Sequence, residues 1–142
     1  MRNQHTLMSV VLCLAWACTA PEKGEVISTW PSSGHPKEVH TVLGEGAGTE
    51  VQILHENGSI HMRGTLLEGK RNGVWNTYRE DGMPWSQVQY DSGTKEGLFR
   101  TWHVEGVPHI EGQHLGGEPS GTWRFYGTDG QLVHTEDYDT AN

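Results

Sequence analysis

Gly34, Gly58, Gly82, Gly106 and Gly130 stand 24 residues apart, and a period of that length constrains the fold more than any other feature of the chain. Two apolar columns keep the same step: Ile27, Val51, Trp75, Phe99 and Trp123, and Trp30, Leu54, Tyr78, Trp102 and Tyr126. A looser column runs Val42, Leu66, Tyr90, His114 and Tyr138. Glu25, Thr49, Gly73, Gly97 and Gly121 mark the unit starts. Chance could align one glycine column, but hardly two apolar columns in the same frame. Residues 25–142 therefore read as five repeats, the first two degenerate in their glycines, with no room for a second domain.

Within one unit, Gly73 to Arg79 and Pro84 to Asp91 are strand-like runs flanking Asp81-Gly82. Asp-Gly and Asn-Gly between strands signal a two-residue hairpin turn whose central residues both take positive φ. Asn57-Gly58 and Asp129-Gly130 repeat the signal; Glu105-Gly106 and Ser33-Gly34 are weaker forms. Ser92 to Glu96 would join one hairpin to the next. Counting back from the turn sets Trp75 opposite Val88, Gly73 opposite Tyr90, and Tyr78 opposite Trp85 on the other face. The unit-start glycine would leave room for a ring across the backbone. The expected fold is all-β, an elongated antiparallel array of β-hairpins. At a strand spacing of about 4.8 Å, five units make a sheet roughly 45–50 Å long.

Composition agrees with a thin sheet. Only 34% of residues are hydrophobic, too few for a thick two-layer core, and six Trp and four Tyr supply flat area instead. The net charge of −8 argues against a nucleic-acid partner and against charge-driven binding to anionic lipid.

The N-terminus reads as a signal. Arg2 precedes an apolar run from Leu7 to Ala17, too short to span a bilayer comfortably. Ala15-Trp16-Ala17 is a small-x-small cleavage site followed by Cys18. Residues 1–17 are expected to be a signal peptide, Cys18 a lipidation site, and 18–24 a tether. Plain secretion or an uncleaved anchor are the alternatives. Cys13 would leave with the signal, so no disulfide is expected. This segment is similar to a bacterial lipoprotein signal, and Thr19 after the cysteine fits sorting to an outer membrane where the host has one. Secreted or periplasmic placement is the alternative.

The unit G-x-W-x-x-Y-x-x-x-G-x-P, followed by an aromatic and a G-x-x-x-G step, resembles the MORN-type repeat of the bacterial YwqK-family antitoxin kind. Gly73 to Pro84, Gly97 to Pro108 and Gly121 to Gly130 carry the likeness. The resemblance implies β-hairpin repeats and association with protein or membrane, and supplies no catalytic residues.

Nine histidines invite a metal site. His61 and His109 share a column, as do His55 and His103, but members two repeats apart would lie roughly 19 Å from each other, far beyond a shared ion. His109 and His114, five apart on one strand, would face opposite ways. No metal or other cofactor is expected. Adjacent acids such as Glu80-Asp81 and Glu136-Asp137 do not face each other across a cleft, and G-x-S-x-G, H-E-x-x-H and phosphate-cradling loops are missing. Gly44 to Gly48 reads as a linker between units. The chain is thus expected to be no enzyme and to have no small-molecule substrate. The reading is a protein-binding or scaffolding lipoprotein of the envelope, with Tyr78, Trp85, Trp102 and Tyr126 as the binding surface. An antitoxin or immunity protein that masks a toxin is the second reading, and a carbohydrate-binding module the third.

Overall fold

A computed structural model describes residues 24–138. The expected signal peptide, Cys18 and most of the tether lie outside the described residues. The described chain forms one antiparallel sheet of ten strands whose spatial order is their sequence order. The strands are β1 Glu25–Thr29, β2 Pro36–Val42, β3 Thr49–Leu54, β4 Ile60–Leu67, β5 Lys70–Tyr78, β6 Pro84–Asp91, β7 Thr94–Trp102, β8 Pro108–Leu115, β9 Glu118–Tyr126 and β10 Leu132–Tyr138. Two strands per 24-residue unit is the hairpin array that the columns predict, and Gly44 to Gly48 does link two units, between β2 and β3.

The register follows the expectation at its centre and departs from it near the turn. Trp75 pairs with Val88 and Gly73 with Tyr90, as counted, but Tyr78 pairs with Pro84 and not with Trp85. The turn chemistry is the cause. Gly82 N donates to Arg79 O at 2.9 Å and Arg79 N donates to Met83 O at 2.9 Å, which closes a three-residue loop. Gly82 has φ of 83°, whereas Asp81 does not reach positive φ. This is a type I turn ending in a left-handed glycine, not the two-residue turn expected. Asp81 earns its place with its side chain: Oδ1 accepts from Met83 N at 2.9 Å, and Asn57 and Asp129 do the same for Ser59 and Gln131. The two-residue turns with positive φ at both positions occur instead between successive hairpins, at Glu68-Gly69, Ser92-Gly93 and Gly116-Gly117.

A three-residue loop shifts the pairing by one, and a bulge restores it. Trp85 is the extra residue, left between the pairs Tyr78–Pro84 and Thr77–Ser86. His61, His109 and Val133 are the extra residues at the same step of other units.

One face carries what core there is. Val51, Trp75 and Trp123 are buried apolar residues, each 7% exposed or less. Trp75 and Trp123 lie across the backbones of Gly64 and Gly112, where a Cβ would overlap the indole. Each indole Nε1 donates to the next carbonyl, Thr65 O and Gln113 O, at 3.2 Å. The glycine that makes room for a ring is thus on the neighbouring strand. Gly73, to which that role was assigned, has open space around it and is needed for its φ of 71°. Arg71 covers Trp75 from above, 4.4 Å from its centroid, and donates to Tyr90 Oη at 3.2 Å. Phe99 and His114 each pack 5.1 Å from Trp123, centroid to centroid. Burial, then the Lys95 ammonium, hold the His114 imidazole below its usual pKa, against the opposing pull of Glu118.

Candidate binding surface

Along β5, β7 and β9 side chains alternate between faces, so Tyr78, Trp102 and Tyr126 project away from the face that holds Trp75, Phe99 and Trp123. All three rings are half-buried, and they stand at equivalent positions of consecutive units. Trp85, the bulged residue on β6, is 51% exposed. A bulge re-aims the side chain it carries. Here it brings Trp85 against Tyr78, Arg79, His55 and His61 around an open hollow of about 330 Å³. The sequence expected Tyr78 and Trp85 to be a cross-strand pair; they are not paired, and instead line one hollow.

The histidines pair within a unit, which column-wise reasoning missed. His55 and His61 rings lie 4.5 Å apart, and His103 and His109 rings 4.2 Å apart. The signal was present in the six-residue separation across each hairpin turn. His55 Nε2 donates to Tyr78 O at 3.0 Å, and His61 Nδ1 donates to the same carbonyl at 3.3 Å. His103 Nε2 donates to Tyr126 O at 2.8 Å. Arg79 holds the equivalent position in the intervening unit, with Nη2 donating to Trp102 O at 2.9 Å. Each staple therefore ties the strand end that carries one ring of the row to the preceding unit. The backbone that carries the row is thus anchored from each unit to the next.

Burial, then the neighbouring His103, lower the His109 pKa, so the fold favours the neutral form of His109. Partial burial, then the hydrogen bond to Glu111 at 3.2 Å, push the Tyr126 phenol above its usual pKa and keep it a donor. Among the described residues no group of three or more His, Cys, Asp or Glu is placed to hold a metal ion.

Below the ring row, towards the middle of the strands, a polar rung crosses the same face. Gln52, Arg63, Asn76, Gln87, Arg100, Glu111 and Arg124 pair strand to strand without a break. Arg100 Nε lies 3.4 Å from Glu111 Oε1, and Arg124 is exposed. Arg100, Glu111, Gln113 and Arg124 border a second, polar depression of about 340 Å³. No family model matches the chain, and neither a curated protein nor a solved structure does.

Proposed function

We propose that this protein is a MORN-like, non-enzymatic binding repeat that recognises a partner protein through the row Tyr78, Trp102 and Tyr126 and the adjacent Trp85. In this proposal a lipid on Cys18 holds it to the bacterial envelope. The observation that carries the reading is the placement of these rings on the face that does not hold Trp75 and Trp123. Aromatics serving only as core would be drawn to the buried face, and leaving rings half in water forgoes their burial energy. Exposed Trp and Tyr on a fixed backbone are the residue types that anchor protein interfaces. The staples from His55, Arg79 and His103 support the same reading, since a pre-ordered surface loses little entropy on binding.

A photo-crosslinking residue at position 85, introduced in living cells, tests this. The expected result is one discrete covalent adduct with a single protein, lost when Trp102→Ala is added. The same residue at Val104, an exposed position in a turn, should give no such adduct. Equal, diffuse labelling from both positions would refute the proposal.

A further inference from the structure

The ring row has a period, and the period selects a ligand conformation. Tyr78, Trp102 and Tyr126 sit on alternate strands, so successive rings are spaced by two strand separations, about 9.6 Å. Two residues before each ring on the same strand come Asn76, Arg100 and Arg124, which repeat at the same interval. A ligand laid across the strands thus meets a ring and a polar or cationic head together at each step. A polyproline II chain turns once in three residues and rises about 9.3 Å per turn, so its side chains i, i+3 and i+6 fall in step with the rungs. An extended strand repeats its face about every 6.8 Å and is out of step at the first rung.

Charge sets the composition. The rung holds Arg63, Arg100 and Arg124 against Glu111 alone, in a chain whose net charge is −8. Glu111 stands between Arg100 and Arg124, taking the Nε side of Arg100 and the Tyr126 hydroxyl. It repels a carboxylate seated over β8 and so favours carboxylates over β7 and β9, one ligand turn apart. We propose, resting on the protein-binding reading above, that the row recognises a proline-rich, acidic polypeptide segment in the polyproline II conformation. Its prolines lie on the rings of Tyr78, Trp102 and Tyr126, and acidic residues at every third position reach Arg100 and Arg124.

The test uses the full chain purified in detergent and fluorescein-labelled synthetic peptides of about a dozen residues. Repeated Pro-Pro-Glu is the probe. Repeated Pro-Pro-Lys reverses the charge, repeated Gly-Gly-Glu removes the conformation, and repeated Pro-Pro-Pro-Glu breaks the period. Pro-Pro-Glu should bind at least about tenfold tighter than each of the three by fluorescence anisotropy. Arg100→Gln and Arg124→Gln, both away from the buried indoles, should each weaken it roughly tenfold, as loss of one charge-assisted contact implies. Binding that ignores period or charge, or no binding of Pro-Pro-Glu at millimolar peptide, overturns the proposal. If the peptides fail while the crosslink from position 85 persists, only the partner class is wrong. If that crosslink is also missing, the binding surface itself is wrong.

Discussion

Replacing Gly112 by alanine is a severe test of the packing that holds the array together. The new Cβ would overlap the five-membered ring of the Trp123 indole, at Cγ, Cδ2 and Cε2. The indole would have to retreat by roughly 1 Å or more to restore ordinary carbon contact. It is hemmed in by Phe99 and His114, each at 5.1 Å, and by Tyr138 at 5.9 Å. Retreat also lengthens the 3.2 Å bond from Trp123 Nε1 to Gln113 O. Overpacking of this kind costs about 1–3 kcal/mol and the lost hydrogen bond about 1, so the variant should lose roughly 2–4 kcal/mol. Gly82→Ala is the control. Gly82 has φ of 83° and open space around it, so only conformational strain of about 1–2 kcal/mol applies. Urea unfolding followed by circular dichroism measures both. A double variant, Gly112→Ala with Trp123→Val, isolates the contact: once the ring is gone, the added methyl should cost little. An equal cost of Gly112→Ala in both backgrounds would refute the indole-over-glycine packing. So would a larger loss in Gly82→Ala.

Stability should fall on mild acidification. The folded pKa values of His109 and His114 are lowered, so the fold favours their neutral forms. The unfolded chain takes up protons near pH 6.5, and stability should be full above that pH and decline as pH falls below it towards the folded values. Unfolding measured between pH 7.5 and about 5 should show this slope, and His114→Gln should flatten it. His103→Ala removes the bond to Tyr126 O and should destabilise by about 1 kcal/mol, with hydrogen exchange rising first at the ends of β7 and β9. Cys18→Ala should release the protein from the membrane fraction and abolish labelling by palmitate; label that survives the substitution would rule out lipidation at this cysteine.

The architecture was legible because a hairpin repeat writes its strands and turns in one frame. Each column of the sequence is a row across the sheet, so two apolar columns were enough to give ten strands in sequence order. The pairing of Trp75 with Val88 was also recoverable, though for a reason the count did not contain. The three-residue loop at Glu80 to Gly82 and the bulge at Trp85 shift the register in opposite senses and cancel. Asp-Gly suits either turn type, and the choice depends on whether the side chain of Asp81 caps Met83 N, which spacing does not reveal. The glycine roles were interchanged for a related reason. Positive φ at Gly73 and steric room at Gly64 both demand glycine, and sequence shows only the residue. The histidine pairs were missed because comparison ran along the repeat axis. His55 and His61 meet across one hairpin, and the bulge that places His61 there follows from the same unseen loop. Of the ring row, the sequence conveyed the column. It did not convey the backbone staples that fix the row to its neighbours.

Hydroxyl-radical footprinting in intact cells, compared with the purified protein, addresses the binding surface most directly. Tyr78, Trp85, Trp102 and Tyr126 should be oxidised readily in the purified protein and protected in cells. Tyr90 serves as the reference, because it shares the other face with Trp75 and is shielded by Arg71 in both states. Protection confined to the four rings, with Tyr90 unchanged, is the predicted result. Oxidation of the four rings to the same extent in cells and in isolation would contradict a partner on that face.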